Sequence, residues 1–332
     1  MRRLARYVVP LVVLGVAALA VAAAYGQPTG AQKAQAKNAK ITIGYMDEIE
    51  GVPFVQIVKN SVLAAAKKAG VKVAVCSPNG DAQAAVNCAA QFKAQGVKGI
   101  LNFQANAAAA PRVCAAGPKV PVIAFDIHQK PCETIFYGAD NVRAGKLSGV
   151  ALGQFAKKKF GCKVDAFVSM EAPAVGIVNF QRANGMLTGY KSVCGTPPNI
   201  IRVDGKGSTD ASIQPATDTL TRLTGKHKIL VVSLNDDMAI GMIKAAQSSN
   251  RLGDIWIGAQ GADPTSWPYI CGKEAFKNWE ADTAYFPELY GNRTVPLLLS
   301  LIAGKKEPKV VYTNHKVVTP ANVKSIYPKA CS

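Results

Sequence analysis

From Ile41 onward, short apolar runs typical of strands alternate with longer amphipathic runs typical of helices. The pattern predicts strands over residues 41–46, 71–75, 97–103 and 120–125. It predicts helices between them over residues 53–69, 81–95 and 105–116, the first of which begins with Pro53 and ends before Gly70. Strands and helices in strict alternation predict βαβ units and a parallel sheet.

The same alternation starts again after Asn141. Helices are predicted over residues 143–160, 179–193, 210–223 and 238–249, and strands over residues 164–169, 200–203, 229–234 and 255–259. Two successive open α/β units predict two similar lobes, each built on a doubly wound parallel sheet. In such folds, ligands bind beyond the carboxyl ends of the strands.

Polar side chains gather where the predicted strands end. They lie in the segments Met46-Asp47-Glu48, Gln104 to Asn106, Asp126-Ile127-His128, Met170-Glu171, Asn235-Asp236-Asp237 and Gln260 to Asp263. Because the carboxyl ends of parallel strands share one edge of a sheet, we expect a polar cleft between the lobes.

The N-terminus has the pattern of an export signal. Basic residues at Arg2, Arg3 and Arg6 precede an apolar run from Val8 to Ala24, with small residues at its end. We predict a signal peptide over residues 1–24, with an uncleaved anchor helix as the alternative, and a flexible tether over residues 25–40. No cysteine suited to a lipid anchor is seen there, so the sequence predicts an exported protein of the periplasm or the outer face of the cytoplasmic membrane.

Charge and motifs argue against several function classes. The net charge of +18 is spread along the chain without a nucleic-acid-binding motif, so we expect no nucleic-acid partner and a possible association with the anionic cell envelope. No nucleophile elbow, phosphate loop or paired CxxC is present, and no nucleophile and base assemble by spacing. The sequence therefore predicts a non-enzyme with no catalytic residue, cofactor or metal.

Five short segments carry a family resemblance. They are Pro53-Phe54, PVIAFD at 121–126, ADNVRAGK at 139–146, RANG at 182–185 and NDDMAIG at 235–241. In this order and spacing, residues 41–320 resemble the type I periplasmic solute-binding proteins of ABC importers, in particular their ribose- and galactose-binding branch. The resemblance implies a monomer with two Rossmann-like lobes joined by a three-strand hinge. Lobe one would comprise residues 41–139 and 286–313, and lobe two residues 140–285 and 314–332.

The resemblance also implies ligand contacts. Asp126 corresponds to a carboxylate that accepts hydrogen bonds from sugar hydroxyls, and Arg182 to a guanidinium that donates to sugar oxygens. Phe54 corresponds to an aromatic ring that packs on the apolar face of the sugar. Asn235 is expected to hydrogen-bond the ligand, while Asp236 caps the following helix and Asp237 lies in its first turn.

Three positions depart from the ribose-binding pattern. Ile127 and then His128 stand where those proteins have an arginine, Gln260 stands in place of an aspartate, and Tyr285 in place of a glutamine. We include His128, Gln260 and Tyr285 among the expected ligand contacts. The departures predict a less polar pocket, which would take a different sugar, a polyol or another small polar solute.

The cysteines agree with this division into lobes. Eight dispersed cysteines behind an export signal predict disulfides. The resemblance places four in each lobe, which implies the sequential pairs Cys76–Cys88, Cys114–Cys132, Cys162–Cys194 and Cys271–Cys331. No disulfide is expected across the lobes, since it would block the closure that ligand capture needs.

The function implied is capture of a sugar or polyol between two hinged lobes and delivery to an ABC transporter permease. The alternative is a ligand-sensing receptor module that signals to a membrane sensor kinase or a chemoreceptor.

Overall fold

The structure, a computed structural model, describes residues 41–332, and the predicted export signal (1–24) and tether (25–40) lie outside them. The strands are β1 Thr42–Met46, β2 Lys72–Cys76, β3 Ile100–Asn102, β4 Val122–Phe125, β5 Ile135–Gly138, β6 Ala166–Glu171, β7 Ile200–Asp204, β8 Ile229–Ser233, β9 Ile255–Gly261, β10 Trp279–Ala284, β11 Val310–Tyr312 and β12 Lys316–Val318. The α-helices are α1 Pro53–Ala69, α2 Ala82–Ala94, α3 Ala110–Ala116, α4 Asn141–Phe160, α5 Ile177–Cys194, α6 Thr209–Arg222, α7 Asp236–Ser248, α8 Trp267–Ile270, α9 Tyr290–Ile302 and α10 Val323–Ile326.

The strands form two six-stranded sheets, and each sheet is the centre of one lobe. The first has the order β11-β5-β4-β3-β1-β2 and is parallel throughout. The second has the order β12-β10-β9-β8-β6-β7, with only β12 antiparallel to its neighbour. This architecture confirms the predicted pair of doubly wound α/β units.

The chain passes between the two sheets three times: from β5 to α4, from β10 to α9, and from β11 to β12. After the second passage, α9 returns to the first lobe, where the Gly291 N–H donates to Ser61 Oγ on α1 at 2.9 Å. At these passages the Asp140 N–H donates to His315 Nε2 at 3.0 Å, which ties the first passage to the third. We call the lobe with the first sheet lobe one and the other lobe two.

Glycines let α4 and α5 approach closely in lobe two. A Cβ on Gly145 or Gly149 would collide with the backbone of α5 at Arg182 or Met186, and one on Gly185 would lie 2.7 Å from the Val142 oxygen on α4. This tight packing fixes the first turns of both helices. Arg182 is thereby held at the edge of the sheet.

Four disulfides join Cys76 to Cys88, Cys114 to Cys132, Cys162 to Cys194 and Cys271 to Cys331. These are the pairs expected from the family resemblance. Each links residues of one lobe, so the three passages between the sheets are free of covalent constraint.

Several elements were not predicted from the sequence. They are β5, β10, β11 and β12 together with α8, α9 and α10. The predicted helix over 105–116 is shorter, because a 3₁₀ turn at Ala107–Ala109 precedes α3. Among the helices of residues 41–332, none is both long enough and apolar enough for a membrane span.

Candidate functional site

A cavity of about 270 Å³ lies between the carboxyl ends of the two sheets. Loops after β1, β3 and β4 line it from lobe one, and loops after β6, β7, β8 and β9 line it from lobe two. Six of the seven predicted contacts are in its wall: Phe54, Asp126, Arg182, Asn235, Gln260 and Tyr285. The fold therefore brings together side chains that are up to 231 positions apart, from Phe54 to Tyr285.

Asp126 is held rigidly in the wall of lobe one. Its backbone is left-handed, with φ of 53°, a conformation in which aspartate is enriched. Oδ1 accepts from the Ala139 N–H at 3.0 Å, and Oδ2 accepts from the Tyr290 hydroxyl at 2.7 Å. A Cβ at position 138 would lie 2.5 Å from Oδ1, so Gly138 makes room for the carboxylate. Burial raises the pKa of Asp126, and the nearby Arg182 and the two hydrogen bonds partly offset that rise.

Phe54 opens α1 and presents an aromatic surface to the cavity. Its ring meets those of Phe103, Tyr285 and Tyr290 edge to face, with centroids 6.0 to 6.4 Å apart. Such edge-to-face packing fixes the ring plane before any ligand arrives. An apolar wall of this kind suits the C–H face of a sugar ring.

Arg182 faces the cavity from α5 and is only 8% exposed. Its Nε donates to Asn141 Oδ1 at 2.7 Å, and Nη1 donates to the Leu234 carbonyl at 3.4 Å. The guanidinium also lies over the Tyr285 ring, 4.8 Å from its centroid. No carboxylate oxygen of residues 41–332 lies within salt-bridge distance of it, so its remaining N–H groups are available to a ligand.

The corner between β8 and α7 differs from the prediction. Asn235, not Asp236, is the N-cap of α7, since its Oδ1 accepts from the Met238 N–H at 2.9 Å. Its Nδ2 donates to the Gly207 carbonyl at 2.8 Å. Asn235 is only partly buried and lines the cavity, so one amide hydrogen and one lone pair are left for a ligand.

Asp236 and Asp237 both lie in the first turn of α7. Asp236 Oδ2 accepts from the Asp263 N–H at 2.9 Å, and burial together with the neighbouring Asp282 and Asp263 raises the pKa of Asp236 far above its usual range. Burial raises the pKa of Asp237 to about 7. The favourable helix-dipole position predicted for these aspartates is outweighed by desolvation.

Gln260 and Tyr285 form a connected pair at the back of the cavity. The Tyr285 hydroxyl donates to Gln260 Oε1 at 2.6 Å, and both side chains are almost fully buried. Gln260 Nε2 has no hydrogen-bond partner among the described residues. An unsatisfied buried donor is costly, so a ligand oxygen at this position would be stabilised.

His128 does not line the cavity, and the structure removes it from the candidate site. Its Nδ1 lies 3.0 Å from Glu133 Oε2, and its ring stacks against Phe136 with centroids 4.4 Å apart. Burial acts to raise the pKa of Glu133, but hydrogen bonds from His128, Lys130 and the Gln129 N–H lower it to about 2. The Asp126 turn directs the chain away from the cleft two residues later.

Glu48 is the main wall residue that the sequence did not single out. It follows β1 and faces the cavity, and its carboxylate has no hydrogen bond from any of residues 41–332. Burial, then the charge of Asp126, raise the pKa of Glu48 to about 8, although Arg182 acts in the opposite direction. Its neighbour Asp47 has a different role, because Lys59 Nζ lies 3.1 Å from its carboxylate. Within residues 41–332, no group of three or more His, Cys, Asp or Glu side chains is arranged to hold a metal ion.

Known proteins share this sequence pattern and fold. A ribose import binding protein of Bacillus subtilis (strain 168) is 25% identical over 301 residues, which cover 88% of this chain and 92% of the relative. A solved ABC transporter solute-binding protein of Mycobacterium smegmatis, with glycerol bound, is 18% identical with a TM-score of 0.77, over 86% of this chain and 96% of its own. The fructose-binding periplasmic domain of a hybrid two-component system is 20% identical with a TM-score of 0.73, over 87% of this chain and 94% of its own.

A family model also matches most of the chain. Residues 43–306 match the periplasmic binding protein domain family, and this span contains most of the described chain and every residue of the candidate site. Proteins of this family bind solutes and are not enzymes. With its two parallel sheets and three passages between them, the chain belongs to the periplasmic binding protein family and has the type I fold.

Proposed function

We propose that this protein is exported, captures a sugar or sugar-like small solute in the cavity between its lobes, and delivers it as a monomer to an ABC transporter permease. The proposal rests on one observation: side chains from both lobes line the same cavity. Phe54 and Asp126 come from lobe one, and Arg182 and Asn235 come from lobe two. A solute that contacts both sets at once favours the closed arrangement of the lobes.

The chemistry of these groups matches a polyhydroxylated ring. A hydroxyl can donate to the Asp126 carboxylate and accept from the Arg182 guanidinium, and the ring's C–H face can pack on Phe54. Many apolar residues complete the wall, among them Val52, Phe103 and Leu234. This supports the expectation of a less polar pocket and a solute other than ribose.

The proposed test is a melting-temperature panel on the purified, oxidised protein with pentoses, hexoses, inositols and polyols. A ligand at about a thousand times its dissociation constant stabilises by about 4 kcal/mol, which is a shift of several degrees. Arg182→Ala should abolish the shift. Arg112→Ala is the matched control, since Arg112 is exposed and outside the cavity. A full panel without any shift, or a shift that survives Arg182→Ala, would refute binding of a sugar in this cavity.

A receptor module is the second candidate, with the same cavity and a different partner. It is favoured by the fold shared with the periplasmic domain of a hybrid two-component system. Genes for a permease and an ATPase beside this one would favour import, and a sensor kinase or chemoreceptor gene would favour signalling. Retention at the cell envelope through the basic surface is compatible with either.

A further inference from the structure

The cavity wall carries more carboxyl groups than cationic groups. Lobe one contributes Glu48 and Asp126, and lobe two contributes Asp236, Asp237 and Asp263. The cations of the wall are the buried Arg182 and the exposed Lys206. Five carboxyl groups therefore face two cationic groups in this wall.

Outside the cavity wall, three carboxylates with buried side chains have cationic partners. Asp47 pairs with Lys59 at 3.1 Å, Glu171 with Arg202 at 2.8 Å, and Glu133 with Lys130 at 2.8 Å. This is the usual arrangement, because an unpaired buried charge is costly.

Glu48 and Asp237 break this pattern. Neither forms a salt bridge with a lysine or arginine of the described chain. Among the described residues, the carboxylate oxygens of Glu48 accept no hydrogen bond, and the Asp237 carboxylate accepts a long one from Thr209 Oγ1 at 3.4 Å. Asp237 is 5% exposed, so its charge is not solvated by water in place of a partner.

The two carboxyls belong to opposite lobes and interact electrostatically across the cleft. The negative charge of Asp237 is among the causes that raise the pKa of Glu48. The other charged groups that act on Glu48 are Asp126, Asp47 and Arg182. One guanidinium does not offset all of these carboxyls, and a ligand cation between Glu48 and Asp237 would stabilise their charged forms.

Another group of the wall, the Gln260 side chain, favours a hydroxyl oxygen as its hydrogen-bond partner. Gln260 Nε2 is a buried donor without a partner, which an ammonium group cannot satisfy but a hydroxyl oxygen can. From these contacts we infer that the solute carries a basic nitrogen besides its hydroxyl groups, as in an amino sugar or aminocyclitol, and that Glu48 and Asp237 hold its ammonium group; this rests on the proposed function.

The test uses matched ligands in calorimetric titrations of the purified, oxidised protein. Each neutral sugar is paired with its 2-amino form and with the N-acetylated form, for example glucose, glucosamine and N-acetylglucosamine, and galactose likewise. Inositols are paired with inosamines. For at least one pair, the amine should bind about 10- to 100-fold more tightly than its neutral parent, since charge-assisted hydrogen bonds contribute about 1.5–3 kcal/mol.

Variants assign the preference to the two carboxyls. Glu48→Gln and Asp237→Asn should each lower the affinity for the amine more than the affinity for the neutral parent, and so remove most of the preference for the amine. Glu50→Gln is the matched control, since Glu50 is exposed, two residues from Glu48 and outside the cavity. Circular dichroism and melting curves of each variant exclude misfolding as the cause of lost binding.

The outcomes separate this inference from the function on which it rests. Neutral sugars that bind as tightly as their amines, with binding lost in Arg182→Ala, overturn the inference and leave the proposed function intact. An amine preference that persists in Glu48→Gln and Asp237→Asn also overturns it. Absence of binding by every amine and every neutral sugar overturns both.

Discussion

Asn235 lies in the cavity wall and also forms two hydrogen bonds within the protein. Because these two bonds need no ligand, their contribution to the free energy of unfolding can be measured on the ligand-free protein. Loss of an N-cap side chain costs about 0.5–2 kcal/mol. Loss of the hydrogen bond from Nδ2 to the Gly207 carbonyl costs about 0.5–1.5 kcal/mol. Asn235→Ala removes both, so we expect the free energy of unfolding of the ligand-free protein to fall by about 2 kcal/mol, roughly 4–8 °C in melting temperature.

Asn235→Ser separates the two bonds, because serine is also a preferred N-cap residue. It keeps a cap oxygen and loses the donor to Gly207, so we expect about half the loss in stability. Its ligand affinity should still fall about tenfold if the amide N–H contacts the solute. Urea unfolding followed by circular dichroism gives the stabilities, and titration calorimetry gives the affinities.

The matched control is Ser208→Ala at the N-cap of the neighbouring α6. Ser208 Oγ accepts from the Ala211 N–H at 3.4 Å in an exposed position, so this cap should contribute less than about 0.5 kcal/mol. If Asn235→Ala unfolds at the same urea concentration as the parent protein, or if Ser208→Ala is the more harmful change, the assignment of Asn235 as the structural cap of this corner is refuted.

Three further predictions concern the arginine, the acidic wall and the disulfides. Asn141→Ala removes the acceptor that orients Arg182 Nε, so solute affinity measured by calorimetry should fall about tenfold, with circular dichroism of the free protein unchanged. Because burial raises the folded-state pKa of Glu48 to about 8, the native protein binds more protons than the unfolded chain, and its stability should decline from pH 5 to pH 8. Glu48→Gln should flatten that decline in melting temperature, and a decline of equal slope in the variant would contradict the assignment. Replacing Cys271 and Cys331 by serine opens a loop of 60 residues and should cost about 4 kcal/mol of stability in urea unfolding, with solute affinity retained because the bond lies within one lobe.

The fold was predictable wherever local pattern and tertiary structure agree. Pro53 at the start of α1 and Gly70 at its end, with φ of 72°, are signals that act within one turn of the chain. β11 and β12 have three residues each, too short for periodicity, and their assignment to different sheets depends on pairing with β5 and β10. α9 contains Pro296, which reads as a helix breaker in sequence.

The site was predictable to the extent that its residues end strands. Asp126 follows β4 directly, Asn235 comes two residues after the end of β8, and both line the cleft. The capping role was assigned to the wrong neighbour at the second corner, because Asn235 and Asp236 are both good N-caps and only the last residue with extended backbone, Asn235 with φ of −147°, can take the position. His128 was misplaced because the left-handed turn at Asp126 is invisible in a one-dimensional pattern.

Glu48 follows a strand, as Asp126 and Asn235 do, but its lack of a charged partner within residues 41–332 could not be predicted from that position. The sequence places Asp47 and Glu48 side by side after β1, and nothing local says that Lys59 neutralises the first and leaves the second unpaired. That difference has a consequence for closure. The groups that act on the pKa of Glu48 come from both lobes, with Asp126 on one side and Asp237 on the other, so bringing the lobes together without a cationic solute makes the charged form of this carboxyl more costly. A solute that donates to these carboxyls would lower that cost at the same time as it adds contacts from both lobes.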